Sequence, residues 1–332
     1  MDKARVFECS LGFNQSNASQ LTQQVKQQFT KYKIQEKRKG ETKMKKFSSR
    51  KKAISILLST VLITMVLTMS ACGRGGNDAL DLQLPGEGET VTLVIGATPA
   101  PHAEVLALVA DMLEEEGIIL DIREFTDFQV PNTVLGYGDI DANYFQHQPF
   151  LTSFNENQGT DIVAVGGIHY EPLGIYPGQS NDLENIADGA TIAIPNDVTN
   201  AARALNLLET NGLITLRPDA GLMATVIDIV DNPHNLDIIE IEAPQLPRVL
   251  EDVDFAVING NFALQAGLSV SRDALAYELV ESEAAQTYTN ILAVRSGDED
   301  NPVILRLLEA MQSEEVRAFI EERYDGAVVP VF

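Results

Sequence analysis

Apolar positions follow two rhythms along this chain, and the rhythms begin near residue 90. Val91, Leu93 and Ile95 stand two apart in a β-rich run, so Thr90–Ala97 is expected to be a strand. Between about His102 and Glu116 the apolar residues Val105, Leu108, Val109 and Met112 recur at helical spacing, and Gly117 stops that helix. Ile118–Phe125 reads as the next strand. A β–α–β unit of this kind implies a parallel sheet with a right-handed crossover. Pro131–Leu135 makes a short helical turn. The alternation of Ile140, Ala142 and Tyr144 then predicts a short strand, which gives way to a helix over Gln148–Asn157 that ends near Gly159. Ile162–Val165 is another strand.

The segment from Gly166 to Gly178 is extended and punctuated by Gly and Pro, as expected of a crossing between two β/α blocks. Beyond it come a helical turn at Leu183–Ala187, the strand Thr191–Ile194 and a helix from about Ala201 to Thr210, stopped at Asn211-Gly212. Thr199 or Asn200 suits its N-cap, which places Arg203 in the first turn. Ala220–Val230 is expected to be helical, Leu236–Ile241 a strand, Gln245–Leu250 a short helix and Asp254–Ile258 a strand. After an irregular acidic stretch, the strand Thr289–Arg295 can carry the chain back to the first block. Helices at Pro302–Met311 and Glu314–Tyr324 close the chain.

Charge is sharply segregated. The whole chain carries 24 Lys+Arg against 48 Asp+Glu. Counted along the sequence, residues 1–72 hold 14 basic and 4 acidic residues, which leaves 10 basic and 44 acidic residues beyond them, a net of −34. All ten of those basic residues are arginine, since the last lysine is Lys52. Such a body lacks the basic face that nucleic-acid binding needs, and it is repelled by anionic lipid. Two cysteines, Cys9 and Cys72, exclude a disulfide framework, and four dispersed histidines give little support to a metal centre.

The first 72 residues have a separate logic. Lys45, Lys46, Arg50, Lys51 and Lys52 precede an uncharged, apolar run from Ala53 to Ala71, and Ser70-Ala71-Cys72-Gly73 follows. A basic n-region, an apolar core and a small-residue cleavage site make a secretory signal. A retained signal anchor is the other reading of the same run. Residues 1–43 are polar, rich in Gln and Lys, and without an apolar period. They fit neither reading, and Met44 is expected to be the native start. Residues 72–88 are Gly- and acid-rich and read as a flexible tether.

Candidate chemistry gathers at strand ends. Phe145 and Phe150 flank His147 where a strand becomes a helix, and ligands in open α/β sheets sit outside the carboxyl ends of strands. The same residues also fit two core aromatics around a hydrogen-bonded histidine. Arg203 beside free helix amides suits an anion such as a carboxylate; alternatively it is an exposed arginine paired with one of many acids. Asn259, at the end of its strand, offers a donor and an acceptor for a zwitterion, or simply a turn before Gly260. No phosphate-binding loop, Gly-x-Ser-x-Gly or His-Glu-x-x-His pattern occurs. No nucleophile–base set stands out.

Taken in order, these stretches resemble the methionine-binding lipoprotein family (MetQ/NlpA type). They are a lipobox at Cys72, Gly-Asp-Ile-Asp-Ala-Asn-Tyr-Phe-Gln-His-Gln-Pro-Phe from Gly138, Ile-Pro-Asn-Asp-Val-Thr-Asn-Ala-Ala-Arg-Ala-Leu from Ile194, Glu-Ala-Pro-Gln-Leu-Pro-Arg from Glu242 and Ala-Val-Ile-Asn ending at Asn259. The likeness runs from about Thr90 to the carboxyl end, although Met69 stands where the lipobox usually has Leu. It implies an α/β fold of the two-lobed periplasmic-binding-protein type (type II), with the ligand cleft between lobes joined by two crossover strands. The lobes would be 89–175 with 291–332, and 176–290; 44–71 would be the lipoprotein signal. The function implied is that of a non-enzymatic, lipid-anchored binder exposed on the outer face of the cell membrane. It would take methionine, need no cofactor, and serve the permease and ATPase subunits of an ABC importer.

Residue by residue, the resemblance places Phe128, Phe145, His147 and Phe150 around the thioether, Arg203 on the ligand carboxylate, Asn259 and Asn290 on the head group, and lipid on Cys72. Phe128 and Phe150 replace frequent tyrosines of the family. Another amino acid, D-methionine, a methionine dipeptide, or a surface enzyme or adhesin on the same scaffold are the alternative roles. The arginine-only acidic body suits a saline or alkaline exterior, because salt screens self-repulsion and arginine keeps its charge at high pH. Thermal melts across salt and pH are expected to show stability rising with salt; a maximum at low salt and neutral pH would remove that environmental reading.

Overall fold

The structure is a computed structural model that describes residues 80–279 and 286–332. Residues 1–43, the leader over 44–71, Cys72 and the start of the expected tether lie outside the described residues. Among those described, no helix is long and apolar enough to cross a membrane.

The first strand, β1 (Val91–Ala97), pairs in parallel with β2 (Ile118–Glu124), and helix α1 (Glu104–Glu114) crosses between them. Helix α2 (Val130–Tyr137) leads to β3 (Ala142–His147), which lies parallel to β1 on its other side. Helix α3 (Gln148–Gln158) then delivers β4 (Ile162–Tyr170). Beyond Tyr170 the chain crosses to a second sheet.

That second sheet opens with β5 (Gly174–Pro177) and β6 (Thr191–Pro195). Helix α4 (Val198–Thr210) follows, then a small hairpin of β7 (Thr215–Leu216) and β8 (Ile229–Asp231). Next come β9 (Asp237–Ile241), β10 (Phe255–Ile258), the short helices α5 (Gly260–Gln265) and α6 (Val270–Asp273), and β11 (Ala276–Tyr277). The chain returns to the first sheet as β12 (Asn290–Arg295), adds helices α7 (Pro302–Met311) and α8 (Glu314–Tyr324), and ends on β13 (Val329–Pro330). The strand orders are β13-β4-β12-β3-β1-β2 and β11-β5-β10-β6-β9. The returning strand β12 runs antiparallel between β3 and β4.

Each sheet has its own core. Leu93, Ile95, Val105, Val109, Leu292, Ile304 and Leu307 are fully buried around the first. Ile192, Ile194, Leu205, Leu208, Phe255 and Val257 are fully buried around the second. Strand pairing moves the expected lobe boundaries by a residue or two: Gly174 and Ile175 already pair with β10, and Asn290 already pairs with β3 and β4.

Several local expectations change. The tether does not extend to residue 88, because Leu80 is buried in the first core and its backbone is held by Asn301 Nδ2, at 2.8 Å, and by Asp298. Helix α4 begins at Val198, not Ala201: Asp197 is its N-cap and accepts from the Asn200 backbone N–H. Arg203 therefore sits in the second turn. Ala220–Val230 is not one helix but two single 3₁₀ turns, Gly221–Met223 and Val226–Asp228, running into β8. A Thr225–Asp228 capping box restarts the chain there, which a periodicity argument over eleven residues does not detect.

Gly178 directly follows β5 in the second sheet. A Cβ on it would lie 2.2 Å from the Val253 carbonyl oxygen and 2.5 Å from that of Leu250. Neither is a flexible side-chain tip. Gly178→Ala is therefore expected to lower unfolding free energy by about 1–3 kcal/mol, measured by urea denaturation; an unchanged midpoint would mean the loop yields without cost.

Candidate functional site

Strand ends from both sheets meet at one cavity. It is lined by Phe128, Phe145, Gln146, His147, Phe150, Glu171, Asn200, Arg203, Asn259, Gly260, Asn261 and Asn290. All seven residues expected to contact a ligand line this one space. Cys72 lies outside the described residues.

The aromatic wall comes from three places. Phe128 stands on the loop between β2 and α2, Phe145 on β3, and Phe150 in the first turn of α3. Their ring centroids are 5.8–6.1 Å apart. Phe262, on α5, lies 4.8 Å from Phe128, so an aromatic contact spans the cleft between the two sheets. A thioether fits such a wall, since sulfur against ring edges contributes about 0.3–1.5 kcal/mol per contact.

His147 is the N-cap of α3, where its Nδ1 accepts from the Phe150 backbone N–H at 3.2 Å. Its Nε2 then donates to Asn200 Oδ1 at 3.2 Å, another contact across the cleft. Burial, with the Arg203 charge adding to it, pushes His147 down to about 3, so the ring is neutral. Asn200 Oδ1 also accepts from Asn259 Nδ2 at 2.8 Å. Two amide atoms are then left over: among the described residues Asn259 Oδ1 and Asn261 Nδ2 are buried without a hydrogen-bond partner. Buried polar atoms are nearly always paired, so an unpaired acceptor and an unpaired donor in one cavity wall mark a place for a polar ligand.

Arg203 is buried and makes an ion pair. Its Nε donates to Glu278 Oε1 at 2.9 Å, and its Nη2 donates to Glu278 Oε2 at 2.5 Å and to the Glu171 carbonyl at 2.8 Å. Tyr288 lies against the guanidinium face at 4.3 Å. Glu278 also accepts from the Tyr170 hydroxyl and the Leu173 backbone N–H. Burial alone would push Glu278 up and Arg203 down, but their mutual attraction outweighs it and moves both the other way. Among the described residues Nη1 has no hydrogen bond, so one edge of the fork remains for a ligand. Arg203 is thus paired with an acid, though buried rather than exposed, and it lines the cavity.

Three further lining residues, Glu171, Asn200 and Asn261, carry no sequence signal that marks them as ligand contacts. Glu171 follows β4 in an unremarkable Tyr-Glu-Pro, and nothing in spacing distinguishes it from the other acids. His102 and His169 are far apart in sequence but converge on it, with the three ligand atoms within 4.8 Å of one another. This corrects the picture of dispersed histidines. Their ring nitrogens are engaged: His102 Nδ1 with Thr98 Oγ1 and Nε2 with Asn290 Oδ1, His169 Nε2 with Glu171 and Nδ1 with the Tyr144 hydroxyl. The group is a hydrogen-bonded floor beneath the cavity, and it fixes Asn290.

The NlpA lipoprotein family matches residues 93–332. This chain belongs to that family. It is 37% identical over 281 residues to the methionine-binding lipoprotein MetQ of Bacillus subtilis, covering 83% of this chain and 98% of that one. A nutrient binding protein from Burkholderia cenocepacia, solved bound to methionine, is 43% identical with a TM-score of 0.69, covering 72% of this chain and all of that one (100%). The periplasmic substrate-binding protein of an ABC transporter from Coxiella burnetii is 37% identical with a TM-score of 0.68, covering 72% and 100% respectively. The architecture is accordingly the two-lobed binding-protein fold, with its cleft between lobes joined by two crossings.

The buried histidines give the family scaffold a pH dependence. Burial lowers His102 to about 4 and His147 and His169 to about 3, against 6.5 for the free side chain. Below 6.5 the unfolded chain takes up protons that the folded chain refuses. Stability is thus complete above pH 6.5 and falls as pH drops towards 3–4, by up to about 1.4 kcal/mol per pH unit for each ring. The raised carboxyl of Glu171 acts in the opposite sense. Urea midpoints are expected to decline steeply from pH 7 to pH 5, and His169→Asn should flatten the slope; a flat wild-type profile would contradict neutral buried rings.

Proposed function

We propose that this protein is a lipid-anchored solute-binding protein on the outer face of the cell membrane that captures methionine and delivers it to an ABC importer. The observation that carries this reading is the cavity itself: three phenyl rings on one side, and on the other a guanidinium edge and two unpaired carboxamide atoms. A sulfur-bearing amino acid has the matching halves. The ligand's thioether lies among Phe128, Phe145 and Phe150, its carboxylate on Arg203 Nη1, and its head group against Asn259 and Asn290. His147 acts by capping α3 and holding Asn200, which keeps the aromatic turn and the amide row in register. Anchorage through Cys72 and docking to permease and ATPase subunits rest on the family resemblance.

A binder is favoured over an enzyme because the relatives are named as methionine-binding and substrate-binding proteins. A ligand that touches both lobes stabilises their closed arrangement and shifts the population towards it. Calorimetry with both enantiomers of methionine, other amino acids and a methionine dipeptide tests the ligand. Methionine is expected to bind, and Arg203→Ala to weaken it by more than about a hundredfold, since it removes the carboxylate contact and also leaves Glu278 buried without its counter-charge. Arg203→Lys, which keeps the charge without the planar fork, is expected to recover only part of the loss. Near-normal affinity in Arg203→Ala would overturn the carboxylate assignment.

A further inference from the structure

Two charged side chains line the cavity, Arg203 and Glu171, and they differ in how their charges are balanced. Arg203 already has a counter-charge, since Glu278 engages both its Nε and its Nη2. Glu171 has no ion-pair partner of full charge among the described residues. Its Oε1 accepts from His169 Nε2 at 2.8 Å and lies 3.4 Å from His102 Nε2. Burial keeps both rings neutral at pH 7. These contacts orient the carboxylate but do not neutralise it.

Its other oxygen lies towards the opposite lobe. At Gly260 an added Cβ would come within 2.8 Å of Glu171 Oε2 and also within 2.8 Å of Glu171 Cβ. Only glycine lets the carboxylate lie this close to the end of β10. The residue before that glycine is Asn259, whose buried Oδ1 has no partner among the described residues. A carboxylate oxygen packed against Gly260 and an unpaired amide oxygen on the preceding residue therefore both belong to residues of the cavity lining. Both are acceptors. A group made only of donors and carrying positive charge satisfies both, and an ammonium is such a group.

We propose that Glu171, assisted by Asn259 Oδ1, is the specificity-determining residue for the ligand's amino group, and that this cavity discriminates more strongly on the amine than on the carboxylate. The proposal rests on the reading of the cleft as an amino-acid site. Arg203 meets a ligand carboxylate with its charge already balanced by Glu278, so that contact is a hydrogen bond of a neutralised pair. The ammonium meets a carboxylate that has no counter-ion. Burial holds the Glu171 carboxyl above the usual range, with His102, Arg203 and the Asn261 backbone pulling the other way. The charge of an arriving ammonium pulls in the same direction as Arg203 and offsets the effect of burial. A site built around such a group rejects analogues that lack it, because its buried polar atoms are then left unpaired.

Two analogues of methionine separate the ends of the molecule with little change of shape. Methioninamide keeps the amine and loses the anionic carboxylate. The analogue in which a hydroxyl replaces the amino group keeps the carboxylate and loses the cation. Titration calorimetry on the purified full-length protein is expected to show methioninamide within about tenfold of methionine and the hydroxy analogue weaker by more than about a hundredfold. Glu171→Gln should bring the two analogues to within a few fold of each other. Equal or tighter binding of the hydroxy analogue in the native chain would overturn the proposal, and so would an unchanged preference in Glu171→Gln. If that variant does not fold, the native-chain comparison decides alone. Should methionine itself fail to bind, the ligand assignment falls, and the same pair of analogues made on whichever amino acid does bind then decides the role of Glu171.

Discussion

The ion pair of Arg203 with Glu278 is the contact on which the site depends, because it ties the cavity to the places where the chain passes between lobes. The guanidinium belongs to helix α4 of the second lobe. Its partner carboxylate sits just after β11, where the chain leaves that lobe. The same carboxylate takes the hydroxyl of Tyr170 and the backbone N–H of Leu173, on either side of the outward crossing. The guanidinium also donates to the carbonyl of Glu171, within that crossing. An isolated charge in this position would be costly, whereas a bidentate pair with added hydrogen bonds is tolerated. Among the described residues Nη1 is left as the unsaturated edge, and its direction is set by Glu278 and by the carbonyl of Glu171.

A second constraint is the row of side chains that spans the cleft. His147 caps α3 with one ring nitrogen and reaches Asn200 with the other; Asn200 is held by Asp197 and in turn receives Asn259. Each bond consumes a valence, and the count runs out at Asn259 Oδ1 and Asn261 Nδ2. The aromatic wall has a similar continuity, from Phe145 and Phe150 through Phe128 to Phe262. Polar and apolar halves of the cavity are therefore each built from both lobes.

Much of this is legible in the sequence because the relevant signals are local. The alternation in β1 and the helical spacing in α1 predict their elements, and the aromatic corner around His147 lies within six residues. Arg203 can be found because it follows a recognisable turn. Its partner cannot: Glu278 is one acid among 44 in the body, and only the fold brings it across 75 residues. Glu171 is hidden for the same reason, as are the convergence of His102 with His169 and the docking of Leu80 onto Asn301. The Ala220–Val230 segment misleads for a different reason. Its apolar residues Leu222, Met223, Val226, Ile227 and Val230 are exposed rather than core, so their spacing reports no buried face.

The acid-rich composition acquires a local meaning at the cavity. In a body with so few cations, a buried arginine is readily balanced by its own protein, as Glu278 balances Arg203. The remaining buried carboxylate then has no arginine left to meet it within the wall. Glu171 is instead oriented by two neutral imidazoles, whose other nitrogens are fixed by Thr98 and Tyr144. Hydrogen bonds of this kind hold a carboxylate in place without removing its charge. The result is a cavity whose cationic contact is already satisfied and whose anionic contact is not, and a zwitterion fills both without adding net charge to a protein that already repels itself.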